Sequence, residues 1–360
     1  MMNVASIWSH LGNVAGLVAT PLTPADYLAL IRPLAARYTL RARIEAVHDE
    51  TADTRTLTLR PGRGFRPHRA GQHLRVGVAI NGRIATRTYS ISSSPERRDG
   101  CITITVKATP GGRVSRALVR DTRPGDYLEI GQPEGDFLLP EGAPTKTLFV
   151  TGGSGITPIM SMLRTFDARG TMPDVVHVHH ARTAHDVIFA RELSALAAAH
   201  PRYRLTVVHT AEDPRRFGLE RLQAIAPDWT TRQAWACGPQ GLLDALTACF
   251  DGEGRASALH IERFRAPVAP IPAGVTGGRV RFGLSRRDVE ADGTTPLLRL
   301  AEEAGVNAPH GCRMGICRTC DATMVSGCVR DLRTGKTITD PGARVQVCVC
   351  AAAGDVELAL

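Results

Sequence analysis

The chain has 360 residues, 43% of them hydrophobic and 22% charged, which predicts two or three globular domains rather than one. No apolar run reaches the roughly 20 residues of a membrane-spanning helix, and the start lacks a signal peptide, so we expect a cytoplasmic protein. The net charge of +9 comes mostly from arginines spread along the chain rather than from a basic tail. Such a spread suits an acidic partner or a membrane surface, or simply an arginine-rich solvated surface, and we expect no nucleic-acid partner.

Residues 1–37 are predicted to form a helical N-terminal extension, and residues 38–140 a small antiparallel β-barrel. Short strand-like runs alternate with clusters of glycine and proline, as in barrels of this kind. Asn81-Gly82 separates two of the runs as a tight hairpin turn would. The predicted strands are residues 40–47, 54–59, 73–80, 84–91 and 102–108.

From residue 141 the rhythm changes to strands that alternate with helices, which predicts an α/β domain with a parallel sheet over 141–262. Residues 263–277 are rich in proline and are predicted to be a linker. Residues 278–360 are predicted to form a third, α+β unit that holds most of the cysteines. The predicted α/β elements are strands 147–151, 175–179, 204–209 and 233–236 with helices 158–168 and 188–199, and a helix at 297–304 follows in the third unit.

Six of the nine cysteines lie between Cys312 and Cys350, which favours metal binding over a disulfide scaffold. Cys312, Cys317 and Cys320 have the C-x4-C-x2-C spacing of plant-type [2Fe-2S] sites. A zinc site is the alternative, but zinc sites usually use two separated pairs or added histidines. From spacing alone, Cys348 and Cys350 are both candidates for the fourth ligand.

A tetrapeptide at the end of a barrel strand, Arg87-Thr88-Tyr89-Ser90, carries the residue types that a flavin needs. An aromatic ring can cover the isoalloxazine, a hydroxyl can bind near its N5 atom, and a guanidinium can hold the pyrophosphate. Alone, the motif could equally be a cross-strand tyrosine beside a surface arginine.

Two further motifs offer phosphate sites at helix starts. Gly112-Arg113-Val114-Ser115 precedes a predicted helix, and a glycine turn at 152–155 joins an apolar strand to a helix that begins near Pro158. The turn departs from G-x-G-x-x-G because Pro158 occupies the position of the third glycine. Arg182, just after the second parallel strand, favours NADPH over NADH, since an arginine there accommodates a 2'-phosphate.

The ordered motifs R-x-Y-S, G-x-x-S, G-G-x-G-x-T-P, C-G-P and a terminal E-R-F resemble the ferredoxin-NADP reductase family over residues 40–264. Residues 278–360 resemble plant-type ferredoxins, which implies an α+β fold of the β-grasp type for this unit. The resemblance implies catalytic roles for Ser90, Cys237 and Glu262. It also implies Cys348 as the fourth cluster ligand, beside Cys312, Cys317 and Cys320. The implied FAD residues are Arg87, Thr88, Tyr89, Ser90, Gly112, Val114 and Ser115, and the implied nucleotide residues are Gly153, Gly155, Thr157, Arg182, Cys237, Gly238 and Pro239.

Together the three units predict a reductase that passes electrons from NADPH, or NADH, through FAD and a [2Fe-2S] cluster to an acceptor protein. Residues 21–27, in the sequence PLTPADY, resemble reductases that serve membrane fatty-acyl desaturases, so a desaturase is the first expected acceptor, and any recruitment to a membrane would come through it. The reductase component of a Rieske-type oxygenase or another monooxygenase is the alternative. A redox-sensing iron–sulfur binding module is the alternative of another class.

Overall fold

The structure, a computed structural model, describes Leu34 and residues 39–80, 82–140, 142, 144–213, 215–264, 266, 269–272, 274–315 and 318–360. The chain forms two compact units, Met1–Glu262 and Arg263–Leu360. The extension predicted for residues 1–37 lies, apart from Leu34, outside the described residues. No helix among the described residues is both long enough and apolar enough to cross a membrane.

The first half of the first unit is a six-stranded antiparallel sheet in the order β4-β3-β6-β1-β2-β5. A bridge between Ile91 and Ile104 joins the segment after β4 to β5 and closes the barrel. Ile80 pairs with Arg83, the register that a two-residue turn at 81–82 requires. The elements are β1 Arg41–Thr51, β2 Thr54–Pro61, β3 His73–Ile80, β4 Arg83–Ser90, β5 Ile102–Lys107, helix α1 Arg113–Arg120 and β6 Tyr127–Ile130.

The second half is a five-stranded parallel sheet in the order β11-β10-β7-β8-β9. Two apolar cores cover its two faces, because alternate residues of each buried strand point to opposite sides. The elements are β7 Lys146–Gly152, α2 Ile156–Arg169, β8 Asp174–Ala181, α3 Ala190–Ala199, β9 Tyr203–His209, α4 Leu219–Ile225, β10 Gln233–Cys237, α5 Gln240–Gly252 and β11 Leu259–Glu262, with short 3-10 turns at Gly153–Gly155, Ala184–Asp186, Trp229–Thr231 and Ala256–Ala258.

The second unit is a mixed sheet in the order β13-β12-β17-β14-β15, with β16 paired to β14 and one helix packed on the core. β12 and β17 run parallel, and the other pairs are antiparallel. Cys320, Cys348 and Cys350 belong to this core. The elements are β12 Gly278–Phe282, β13 Arg287–Ala291, α6 Leu297–Glu303, β14 Asp321–Asp331, β15 Thr337–Ile338, β16 Arg344–Gln346 and β17 Cys350–Leu358.

Candidate functional site

The carboxyl ends of β7 and β10 form the switch point of the parallel sheet. The strands β8 and β9 extend from one side of β7, whereas β10 and β11 lie on its other side. Ligands of open α/β sheets bind in the crevice outside such a point. A Cβ on Gly155 would lie 2.1 Å from the carbonyl oxygen of Cys237, and one on Gly152 would lie 2.6 Å from Cδ of Pro239. Glycine is therefore required for these two turns to pack against each other.

A cleft of about 770 Å³ opens beside the turns, and three of the residues predicted for the nucleotide, Gly153, Arg182 and Pro239, line it. Gly153 has a φ of +52° and open space where a Cβ would stand, so a phosphate can approach its backbone closely. The other predicted nucleotide residues are not part of the wall of this cleft: Gly155, Thr157, Cys237 and Gly238.

Sequence reasoning missed the loop after β9, where Arg215, Arg216 and Phe217 complete the wall of the cleft. A signal for them was present, because this tripeptide follows a parallel strand and must emerge at the same sheet edge as the glycine turn. Asp53 and Lys107 of the barrel half also line the cleft and were not predicted.

The acids that line the cleft are already bound by other side chains. Asp186 accepts hydrogen bonds from the Thr183 hydroxyl at 2.6 Å and from its backbone N–H at 3.1 Å, and these bonds lower the pKa of Asp186. Asp213 binds Arg215 and Arg221, and Asp53 binds Lys107 at 2.7 Å. Arg216 is exposed and has no ion pair within the part of the chain that the structure describes, which leaves the cleft electropositive. The acidic residues that line the cleft are Asp53, Asp186 and Asp213, and its lysine and arginine residues are Lys107, Arg182, Arg215 and Arg216.

His180 presents an unsatisfied polar atom in the wall of the cleft. Its Nδ1 lies 3.2 Å from the carbonyl oxygen of Thr151, its ring packs edge-on against Phe217, and its buried Nε2 has no hydrogen-bond partner among the residues that the structure describes. Buried polar atoms are normally paired, so an orphaned nitrogen in a cleft wall fits a bound polar ligand. The residues present therefore fit a nucleotide.

The three residues predicted to be catalytic come together where the two halves of the first unit meet, through a fourth residue that was not predicted. Cys237 and Glu262 are direct partners on β10 and β11. His73 and Ser90 are direct partners on β3 and β4. His73 Nδ1 lies 3.9 Å from Glu262 Oε1 and so joins the two pairs.

Burial controls the ionisation of this group. Burial, followed by the nearby charge of Asp136, raises the pKa of Glu262 to about 7. Burial also raises the pKa of the Cys237 thiol well above its ordinary value, with a smaller contribution from Glu262. Burial lowers the pKa of His73. Near neutral pH the cluster therefore holds a neutral thiol, a neutral imidazole and a carboxyl group close to its midpoint.

The four residues of the predicted flavin motif lie on the edge strand β4 and alternate between its two faces. Tyr89 packs against the barrel core with its pKa raised by burial, while Thr88 and the buried Ser90 point to the opposite face. Arg87 shares the face of Tyr89 and donates from Nη1 to the Thr86 carbonyl at 2.8 Å. A planar ring that lies across the exposed edge of β4 can contact both faces.

The predicted phosphate motif at the start of α1 differs in detail from expectation. Val114 is 1% exposed and belongs to the barrel core, so only its backbone is available to a ligand. Ser115 Oγ already accepts the Thr109 N–H at 3.2 Å, and a Cβ on Gly112 would lie 2.2 Å from Thr109 Oγ1. A groove of about 760 Å³ begins at Gly112 and runs along the exposed arginines of α1, which are Arg113, Arg116 and Arg120. A groove lined by these positive charges fits a diphosphate.

In the second unit the described cysteines of the C-x4-C-x2-C motif lie near Cys348. The Cys320 and Cys348 thiols share a hydrogen bond, which lowers the pKa of Cys320 and raises that of Cys348. Cys312 Sγ accepts the Met314 N–H at 3.4 Å and acts electrostatically on Cys348. Cys317 lies outside the described residues, and among the residues described no three His, Cys, Asp or Glu side chains form a metal site together. Converging thiols with backbone N–H donors fit a thiolate-bound cluster.

Arg333 supports the cysteine loop and was not predicted. Its Nη1 donates to the Gly315 carbonyl at 2.9 Å, and its Nε and Nη2 bind Asp331 at 3.1 and 2.6 Å. The guanidinium thus places a fixed positive charge beside Cys348 and Cys350. Cys350 is also buried but has no hydrogen bond to Cys320, in contrast to Cys348.

Three domain families match the chain in order: the oxidoreductase FAD-binding domain at residues 41–138, the oxidoreductase NAD-binding domain at 149–247 and the 2Fe-2S iron-sulfur cluster binding domain at 283–353. An NADPH oxidoreductase of Mycobacterium tuberculosis is 47% identical over 354 residues, 98% of this chain and 92% of that protein. The glycine betaine monooxygenase reductase subunit of Pseudomonas aeruginosa is 30% identical over 343 residues, 87% of this chain and 93% of that protein.

Among solved structures, phthalate dioxygenase reductase matches with a TM-score of 0.66 and 26% identity, over 90% of this chain and 98% of that one. The predictions of the fold class, of an oxidoreductase and of FAD, nicotinamide nucleotide and [2Fe-2S] domains are confirmed. The chain belongs to the family of oxidoreductases in which an FAD-binding and an NAD-binding domain are followed by a 2Fe-2S domain.

Proposed function

We propose that this protein is the NADPH-dependent reductase of an oxygenase, and that it delivers electrons through FAD and a [2Fe-2S] cluster. The observation that carries the proposal is the group of Ser90, His73, Glu262 and Cys237 on four strands of the unit that also holds the nucleotide cleft. When bound, FAD accepts hydride and the cluster carries single electrons, so the protein itself must bind, orient and control protons.

Each predicted catalytic residue has a task that its surroundings support. The Ser90 hydroxyl is a neutral hydrogen-bond group for the edge of the flavin ring. The Cys237 thiol is neutral and fully buried beside Glu262, so it keeps the surroundings of that carboxyl group uncharged. Glu262, with a pKa of about 7, can hold or release a proton at working pH. Arg87, Thr88 and Tyr89 orient the flavin, and the N-terminus of α1 with its arginines holds the diphosphate.

The choice of NADPH rests on the charges of the cleft. A protein that prefers NADH binds the ribose hydroxyls with a free acid near the end of the second strand, whereas Asp186 is committed to Thr183. Arg182 and Arg216 line the same wall and are exposed, which suits a 2'-phosphate. The M. tuberculosis relative is an NADPH oxidoreductase, which agrees with this choice.

We assign the cluster to Cys312, Cys317, Cys320 and Cys348. The hydrogen bond between the Cys320 and Cys348 thiols supports Cys348 over Cys350. Arg333 would stabilise the negative charge that builds up when the cluster is reduced.

An oxygenase is the acceptor that the relatives favour. The reductase subunit of glycine betaine monooxygenase and phthalate dioxygenase reductase are both matched over more than nine tenths of their length. The fatty-acyl desaturase expected first from residues 21–27 gains no support from these relatives. A redox sensor without turnover would not need the complete nucleotide cleft.

The test is an anaerobic spectrum of the purified full chain before and after NADPH, with iron, sulfide and flavin quantified. Bleaching of flavin and cluster, followed by NADPH-dependent product formation with an oxygenase component from the same genome, supports the proposal. Turnover with a membrane acyl desaturase but with no oxygenase would contradict the acceptor. Reduction without turnover on any protein acceptor would favour the sensor.

A further inference from the structure

His73 is placed by its strand so that its ring faces both Ser90 and Glu262. Its backbone N–H donates to the Glu134 carbonyl at 3.0 Å and its carbonyl accepts the Glu134 N–H at 2.8 Å. Because these bonds point away from β4, His73 and Ser90 form a non-hydrogen-bonded pair, in which opposing side chains lie closest. Ser90 and His73 are therefore neighbours on one face of the sheet.

A glycine fixes the ring of His73. Gly135 has a φ of +110°, and a Cβ there would lie 2.8 Å from His73 Nδ1 and 2.9 Å from Cε1. The ring thus lies directly against the backbone of the loop after β6, which prevents it from moving toward that loop. This contact requires glycine, since any side chain at position 135 would displace the imidazole.

The two nitrogens of His73 have different surroundings. Nδ1 is buried and faces Glu262 Oε1 at 3.9 Å, and within the described part of the chain it has no hydrogen-bond partner. The side chain of His73 is 20% exposed and that of Glu262 is 13% exposed, so the accessible part of the ring lies away from Nδ1. The imidazole therefore contacts solvent on the side away from Nδ1, next to a Glu262 carboxyl group that is itself partly exposed.

Burial outweighs the nearby acids in setting the protonation of the ring, so the pKa of His73 is lowered. Glu134 and Asp136 act on the imidazole from the loop after β6, Glu262 from β11, and the Cys237 thiol lies on β10 next to Glu262. Arg75, on the same strand as His73, lies 4.0 Å from Glu134 and offsets part of its charge. Burial opposes the protonated ring, and the acids favour it.

We propose that His73 is a positioning and proton-exchange residue, which orients the Glu262 carboxyl through Nδ1 and connects it to solvent. The inference rests on the proposed function, because it gives Glu262 the proton that a reductase must move at the flavin. In each exchange, the O–H bond of Glu262 breaks as the proton binds Nδ1, and the N–H bond at Nε2 breaks as a proton passes to water. The net charge of the ring is unchanged, and the reverse sequence reloads the carboxyl group.

The first experiment follows the Glu262 carboxyl group in the FAD-loaded full chain by infrared spectroscopy from about pH 5 to about pH 9. The C=O band of Glu262 is assigned by its loss in Glu262→Gln. His73→Gln, which keeps a polar side chain but cannot exchange a proton in this way, should shift the band and its titration. His48→Gln, an exposed histidine on β1, is the matched control and should shift neither.

The second experiment measures turnover with NADPH and an artificial electron acceptor. His73→Ala should lower the turnover rate by about tenfold or more. General acid–base groups typically contribute about a hundredfold or more, and a residue that acts through Glu262 is expected to contribute less. Free imidazole should restore much of the loss, with a pH profile that follows the added base, because the vacated site reaches the surface. A purely structural role of His73 would give no rescue. Bound flavin is measured in each variant. If His73→Ala does not fold, the loss of turnover is measured in His73→Gln without the imidazole test, since glutamine leaves no vacated site.

Two results would overturn the inference in distinguishable ways. If NADPH reduces the wild-type flavin but the His73 variants leave both the carboxyl titration and the turnover as in His48→Gln, only the role of His73 fails. If NADPH does not reduce the wild-type protein, the proposed function fails, and this inference fails with it.

Discussion

Replacing Arg216 by glutamine should lower the efficiency of the enzyme with NADPH and leave its efficiency with NADH unchanged. Arg216 is exposed in the wall of the cleft, and among the described residues no acid binds it, so its charge is available to a 2'-phosphate. A hydrogen bond to a charged group contributes about 1.5–3 kcal/mol, and exposure to solvent favours the lower end. Because 1.4 kcal/mol corresponds to a factor of ten, kcat/KM for NADPH should fall about tenfold.

The assay is the steady-state reduction of an artificial electron acceptor with each nucleotide at low and high ionic strength. Arg202→Gln is the matched control, because Arg202 is also exposed but precedes β9 at the opposite edge of the sheet. The ratio of NADPH to NADH efficiency should fall for Arg216→Gln, by less at high salt, and stay constant for Arg202→Gln. Equal losses with both nucleotides, or no loss with either, would refute the assignment of the 2'-phosphate to this loop.

Three further predictions follow from close contacts and from burial. Gly155→Ala should destabilise the protein by about 1–3 kcal/mol and weaken nucleotide binding, because its Cβ would lie 2.1 Å from a backbone oxygen. Gly241→Ala, with nothing within 4 Å, should leave the thermal midpoint unchanged or raise it. Glu262 has a folded pKa of about 7 against an ordinary 4.5, so the stability that it contributes is full below 4.5 and is lost as the pH rises through 7. Glu262→Gln should therefore raise the free energy of unfolding more at about pH 8 than at about pH 5, by up to about 3 kcal/mol, and an equal effect at both pH values would contradict the assigned shift. Cys348→Ser should abolish bound iron and sulfide while Cys350→Ser retains both, and the opposite result in chemical analysis would exchange their roles.

The barrel strands and the first parallel strands could be predicted from sequence because their signals are local. Residues 73–80 alternate in polarity next to a two-residue turn, and the structure has β3 over His73–Ile80. The helix predicted from 158 starts two residues earlier at Ile156, since Pro158 is tolerated in the first turn of a helix. The helix Gln240–Gly252 was missed, because its apolar residues follow the C-G-P turn without a side-chain cap to mark its start.

The candidate site was only partly predictable, because its parts meet through the order of strands in two sheets. Ser90, Cys237 and Glu262 were expected from the resemblance, but the pairing of β10 with β11 places Glu262 directly beside Cys237, and no local pattern contains that information. His73 could have been found from the hairpin alone, since counting back from its turn pairs His73 with Ser90. Arg333 could not, because it reaches Gly315 across a loop from a distant part of the sequence.

In both units a glycine with positive φ lets a polar side chain lie against the backbone. In the first, Gly135 lets the His73 ring lie against the backbone, and in the second, a Cβ on Gly315 would lie 2.5 Å from Arg333 Nη1. Both glycines have positive φ, at +110° and +72°, so each contact depends on a backbone that other residues rarely adopt. In each unit, a side chain in place of the glycine would displace the adjacent imidazole or guanidinium. Under the proposed function, proton exchange at His73 would answer charge in the first unit and the Arg333 guanidinium would answer it in the second, which would separate proton-coupled chemistry at the flavin from single-electron chemistry at the cluster.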